Sequence, residues 1–145
     1  MSKLHELELI DRLKDIATTQ KYYGELEHPS TAQFLQNDLP LIYVDFLGED
    51  TIDSFTLELK YSLYIVHLSY SKHKSTRTKK HYELYDLNAD IRKELFMTSI
   101  LDSQPLSLKK LSKIYDAVSA NGYLTIYKRD LSFSIPNNIT QEDLN

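Results

Sequence analysis

Between Ser71 and His81 the chain reads SKHKSTRTKKH: five Lys or Arg and two His in eleven positions, with no carboxylate among them. Side chains in that pattern can track a phosphate backbone, pair with an acidic protein surface, or simply keep a loop hydrated. Charge elsewhere weighs on the choice. The 145 residues hold 17 Lys and Arg against 21 Asp and Glu, and without the basic stretch the balance is 12 against 21, a formal −9. A dedicated nucleic-acid module is basic over a whole face, whereas this sequence has a pI near 5.7, and its remaining negative field opposes approach to phosphate. The stretch is expected to be a strand-to-helix loop, mobile when free. It is either solvated or orders against an acidic partner through Lys72, Lys74, Arg77, Lys79 and Lys80.

Other chemistry-bearing residues do not assemble into a motif. Glu83, Asp86, Asp90 and Glu94 share helical spacing and could gather a divalent cation, but nothing at that spacing supplies a rigid oxygen cage, and they read as a solvated face beside Arg92 and Lys93. The five His, at 5, 28, 67, 73 and 81, form no HExxH or HxH pattern, and His67 is expected to be a hydrogen-bonded structural residue. The three glycines, 24, 48 and 122, make no phosphate loop, and no GxSxG elbow is present. With no Cys there is neither a disulfide nor a thiolate site. These observations predict no catalytic residue, no metal, no cofactor and no enzyme. Asn138-Ile139-Thr140 matches a glycosylation pattern by chance, since the charged start MSKLHELELIDRLKD does not read as a signal peptide.

The elements that must carry these residues are legible in outline. Leu4, Leu7, Ile10, Leu13 and Ile16, widened by Leu9 and Ala17, predict an amphipathic helix from Ser2 to about Thr18, with Ser2 as N-cap. YYGELEHPS reads as a loop, and TAQFLQN as one helical turn at most. Leu39–Phe46 predicts a buried strand opened by Pro40, with GED beginning a loop. A long strand follows from about Ser54 to Ser71. Phe55, Leu57, Leu59, Tyr61, Leu63 and Ile65 share one face, while Tyr64, Val66, Leu68 and Tyr70 form an apolar row on the other. That second row requires cover, and a subunit interface through Tyr64, Val66, Leu68 and Tyr70 is expected.

Leu84, Leu87, Ile91 and Leu95 then predict a second helix, with Tyr82 and Tyr85 packing it on the sheet. Leu108–Val118 fits helical spacing better than strand spacing, yet Asn121-Gly122 is a strong hairpin signal, so a hairpin with an irregular first arm is expected before a strand from Tyr123 to Ile135. The fold class is α+β: a mostly antiparallel sheet with two helices packed on one face. One domain spans residues 1–135, and residues 136–145 form a polar tail. No apolar run approaches a membrane span.

Taken in order, IDRLKD, YYGEL, LPLIYVDFLG, a long strand ending YIVHLSYS, YELYDLNADIRKELF and PLSLKKLSKIYDAVSANGYLTIYKRDLSFSI resemble the Mu-type phage tail terminator family, similar in fold to lambda-like tail terminators. The resemblance runs from about Leu4 to Ile135 and rests on element order rather than chemical motifs. Its basic stretch departs from relatives, where the same loop is often small and polar. It implies a structural protein of the virion tail, assembled in the host cytoplasm, that caps the tail tube as a hexameric ring. Its partners would be further copies of itself, the tail tube protein, the head-tail connector and, in contractile tails, the sheath. No cofactor, catalysis or membrane is implied. The alternative from the residues themselves is a small nucleic-acid-binding module, in which the Ser71–His81 stretch grips phosphate and Tyr70, Tyr82 and Tyr85 stack on bases.

Overall fold

The computed structural model describes residues 2–70, 73–120 and 122–137, apart from the side chains of Ser2 and Gln36. The tail beyond Asn137, with Asn138, and the positions Ser71, Lys72 and Asn121 lie outside the described residues. Helix α1 (Ser2–Leu13) is followed by β1 (Thr18–Lys21), two 3-10 turns (Pro29–Thr31 and Gln36–Asp38), β2 (Leu41–Asp53), β3 (Thr56–Ser69), α2 (Lys74–Leu95), β4 (Ser107–Ser119) and β5 (Gly122–Pro136). The five strands form one sheet in the order β1-β2-β3-β5-β4, antiparallel throughout except for the β1–β2 pair. The fold is α+β, a mostly antiparallel sheet carrying both helices on one face.

Side-chain alternation sets the layers. Ile42, Val44, Leu59, Tyr61, Leu63, Ile65, Leu131 and Phe133 point to one side, where Leu9, Ile10 and Leu13 of α1 and Leu84, Leu87, Ile91 and Leu95 of α2 close over them. The α1 stripe differs from expectation: His5, Leu9, Ile10 and Leu13 are buried, while Leu4 and Leu7 face outward. A three-residue repeat drifts by about 60° per step around a helix, so Leu4 and Leu13 cannot share a face. The helix also stops at Leu13, and the polar run Thr18–Lys21 becomes a strand, β1, beside β2.

The opposite face carries Leu41, Tyr43, Val66, Leu68, Leu124 and Ile126, and the chain covers it itself with Tyr22, Leu26, Phe34 and Leu39. The Tyr22 ring lies 4.8 Å from that of Tyr64 and 5.6 Å from that of Tyr43, and its hydroxyl accepts the Leu26 N–H at 3.3 Å. The apolar row of β3 therefore lies where alternation put it, but Val66 and Leu68 are capped within the monomer rather than offered to a neighbour.

Two further readings are corrected and one is met. Gly48-Glu49-Asp50 lies inside β2, which runs on to Asp53 through two register breaks. Leu108–Val118 is the irregular first arm of the expected hairpin, β throughout despite its helical spacing, with breaks between Leu108 and Leu111 and between Lys113 and Tyr115. The residues with helical spacing, Leu108, Leu111, Ile114, Tyr115 and Val118, share no face: Leu108 and Leu111 lie opposite Leu131 and Arg129, Tyr115 lies opposite Ile126 on the other side of the sheet, and Ile114 falls in a bulge. Finally, the basic stretch is mostly helix: α2 begins at Lys74. No helix among the described residues is long and apolar enough to cross a membrane.

Candidate functional site

The start of α2 gathers most of the unusual chemistry. Strand register places His67, Thr125 and Asp116 side by side across β3, β5 and β4. The sheet face beneath α2 is thus apolar under the helix's C-terminal half and polar under its N-terminal half. His81 reaches down to this row, its Nε2 3.2 Å from Asp116 Oδ1. Thr125 Oγ1 donates to the same oxygen at 2.9 Å, Lys113 Nζ donates to Oδ2 at 3.0 Å, and Tyr123 OH donates to the Asp116 carbonyl at 3.1 Å. One helical turn earlier the Arg77 guanidinium lies over the Tyr123 ring, 4.5 Å from its centroid. His67 Nε2 is 3.4 Å from Glu83 Oε2, which Lys80 also approaches at 3.4 Å. These contacts explain a helical start without apolar residues: polar and aromatic anchors replace hydrophobic ones.

Electrostatics follows the same contacts. Burial opposes ionisation of Asp116, but hydrogen bonds from Lys113 and Thr125 and the nearby His81 outweigh it and hold the carboxyl below its usual range. Glu83 is likewise lowered, burial being overcome by Lys80 and His67. Burial, reinforced by the charge of Lys80, pushes His67 down against the pull of Glu83. The unfolded chain therefore takes up a proton on His67 near pH 6.5 before the folded one does, and stability falls as pH drops below that value. Asp116 and Glu83 act in the same direction only near and below about pH 4.5. Melting temperature is expected to hold above pH 7 and decline from about pH 6.5 to 5, with His67→Gln flattening that decline; an unchanged slope in the variant would contradict the assignment.

The arrangement is a clamp rather than a proton relay. His81 uses the same Nε2 toward Asp116 and Thr125, 3.4 Å from the latter, whereas a relay needs the carboxylate and the nucleophile on opposite ring nitrogens. Thr125 moreover gives its proton to Asp116. The space enclosed between His67, Ser69, Arg77 and Thr125 is about 10 Å³, room for one water. A more open depression of about 220 Å³ adjoins it, lined by Lys74, Arg77, Thr78, His81 and Tyr123. It can receive an oxyanion or a carboxylate side chain. No acidic residue sits in the first turn of α2 to offset the positive helix end.

Of the basic residues expected to meet a partner, Lys74 and Arg77 share this depression. Lys79 is exposed on the other side of the helix, Lys80 is half-buried against Glu83, and Lys72 lies outside the described residues. The apolar row splits as well: Val66 and Leu68 are buried, Tyr64 is half-buried under Tyr22, and Tyr70 is exposed. Tyr82 and Tyr85 do not pack α2 on the sheet; both are exposed, with ring centroids 5.8 Å apart. The carboxylates Glu83, Asp86, Asp90 and Glu94 are exposed, two of them turned toward Lys80 and Arg12. No group of three or more metal-ligating side chains occurs among the described residues. Asp116 and Thr125 were missed by sequence reasoning: a two-residue turn at Asn121-Gly122 would set Asp116 opposite Tyr127, whereas the strands pair Ser119 with Gly122 and so bring Asp116 opposite Thr125. No family model and no curated protein matches the chain.

Proposed function

We propose that this chain is a ring-forming phage tail terminator, which caps the tail tube, stops its growth and presents a surface to the head connector, and in contractile tails to the sheath end. The observation that carries the reading is the sheet's two unpaired outer edges. No described strand pairs with the outer side of β4 along its 13 residues, although the Pro29–Thr31 turn packs against this strand, or with the outer side of β2 beyond Val44. Each of these edges displays apolar side chains, Ile114 and Val118 on β4 and Leu47 and Ile52 on β2. A ring subunit must join neighbours on two different sides. Further exposed apolar groups, Phe96, Met97 and Leu101 after α2, suit contacts above or below a ring.

In this reading the start of α2 meets an acidic surface of the adjacent subunit, the tube or the connector. It does so as a pre-ordered helix with Lys74 and Arg77 lining the depression at its start, and ionic steering speeds docking while apolar contacts supply most of the affinity. The element order that resembles terminators supports the same role, a structural one without cofactor or catalysis. Deleting the gene is the test: filled heads and unjoined tails are expected.

A second reading, a nucleic-acid-binding module, is favoured by the exposed Tyr82 and Tyr85 beside the basic helix start. A DNA mobility shift that weakens with salt would support it.

A further inference from the structure

The two free edges of the sheet carry opposite charge. Asp45–Asp53, the part of β2 beyond its pairing with β1, holds Asp45, Glu49, Asp50 and Asp53 and no basic residue. The β4 strand at the far side of the sheet holds Lys109, Lys110 and Lys113 against Asp116 alone. Part of this charge is spent internally: Asp50 pairs with Lys60, Lys113 with Asp116, and Lys109 lies 4.0 Å from Glu58. Asp45, Glu49 and Lys110 have no ion-pair partner among the described residues. Beside these charges Leu47 and Ile52 on one edge, and Ile114 and Val118 on the other, are each about half exposed or more.

We propose that copies of this chain join head to tail, the acidic free edge of β2 in one copy seating against the basic free edge of β4 in the next. The proposal rests on the ring reading only in taking a second copy as the partner. Two β2 edges repel, as do two β4 edges, while the unlike pair attracts, so charge selects the one contact that is not symmetric. Two different surfaces on opposite sides of a subunit generate a heterologous series that closes into a ring or runs on as a filament. Register breaks after Phe46 and Thr51 in β2, and after Leu108 and Lys113 in β4, interrupt both ladders. Bulges and lysines of this kind deter indiscriminate strand addition, leaving charge and the flanking apolar groups to choose the partner.

Charge exchange tests this directly by sedimentation velocity. The unmodified chain is expected to gain mass with concentration. Lys109→Glu with Lys110→Glu in one protein, and Glu49→Lys with Asp50→Lys in another, should each weaken self-association about tenfold or more, since close interfacial charge pairs couple by at least ~1.5 kcal/mol. Mixing the two proteins should restore association, because every junction is then again unlike. An unmodified chain that stays monomeric at every concentration, or a mixture no heavier than its components, overturns the proposal. The chain has no Cys, so Ile52→Cys and Val118→Cys, each in its own protein, give a readout that does not depend on the charge variants folding. Oxidising the mixture should yield mostly mixed disulfide dimers; statistical proportions, or no disulfide, contradict it. Edge association alongside normal tails in the gene deletion would keep this proposal and end the terminator reading. Absent association with the deletion phenotype intact would do the reverse.

Discussion

Leu68→Asp should abolish folding. Leu68 is 2% exposed, in the cluster that Tyr22, Leu26, Phe34 and Leu39 close over the sheet. Removing its side chain alone costs about 2–5 kcal/mol, and a carboxylate without a partner there adds several more. Together these rival the whole stability of a domain, about 5–15 kcal/mol. Far-UV circular dichroism and urea titration would show an unfolded or barely folded chain, whereas Tyr70→Asp, at a side chain 47% exposed, should change stability by no more than about 0.5 kcal/mol. The row Tyr64, Val66, Leu68 and Tyr70 was expected to form the subunit interface. A folded Leu68→Asp monomer that no longer assembles would restore that expectation and contradict the burial described above.

Gly122→Ala should be the most damaging of the three glycine-to-alanine changes. A Cβ built at this position falls 2.4 Å from the Ser69 carbonyl oxygen and 3.3 Å from Tyr70 Cα, so backbone must shift to admit it. The cause is crowding at the end of the β3–β5 ladder, where Ser69 pairs with Tyr123. A loss of about 2 kcal/mol or more is expected, read as a lower urea midpoint with an unchanged slope. Gly48→Ala is the comparison: no atom lies within 4 Å of its added Cβ, although its φ of +140° adds backbone strain. A Gly122→Ala chain as stable as the original would show that the hairpin does not approach β3 so closely.

Much of this architecture was legible because burial leaves periodic traces. The alternation from Leu57 to Ile65 gave the long strand its core face, and Leu84, Leu87, Ile91 and Leu95 gave the second helix its contact stripe. What was not legible lacks such traces. Thr18–Lys21 is a strand because it lies beside β2, not because TTQK favours one. The start of α2 contains no buried apolar residue before Leu84; its helix is held by Arg77 on Tyr123 and His81 on Asp116, contacts made by a hairpin more than 30 residues later. In β4 two bulges broke the period-two alternation that marks a strand. The site was legible as a concentration of charge but not as a surface, since half of the expected residues turned inward or to the far side of the helix.

The central claim is that the chain ends tail-tube growth, and the length distribution of tails in electron micrographs of a gene-deletion lysate tests it most directly. A terminator's loss gives a broad distribution extending well beyond the normal tail, with filled heads left unjoined, and complementation with the intact gene restores one narrow peak. Tails of normal, uniform length joined to heads in the deletion would contradict the account.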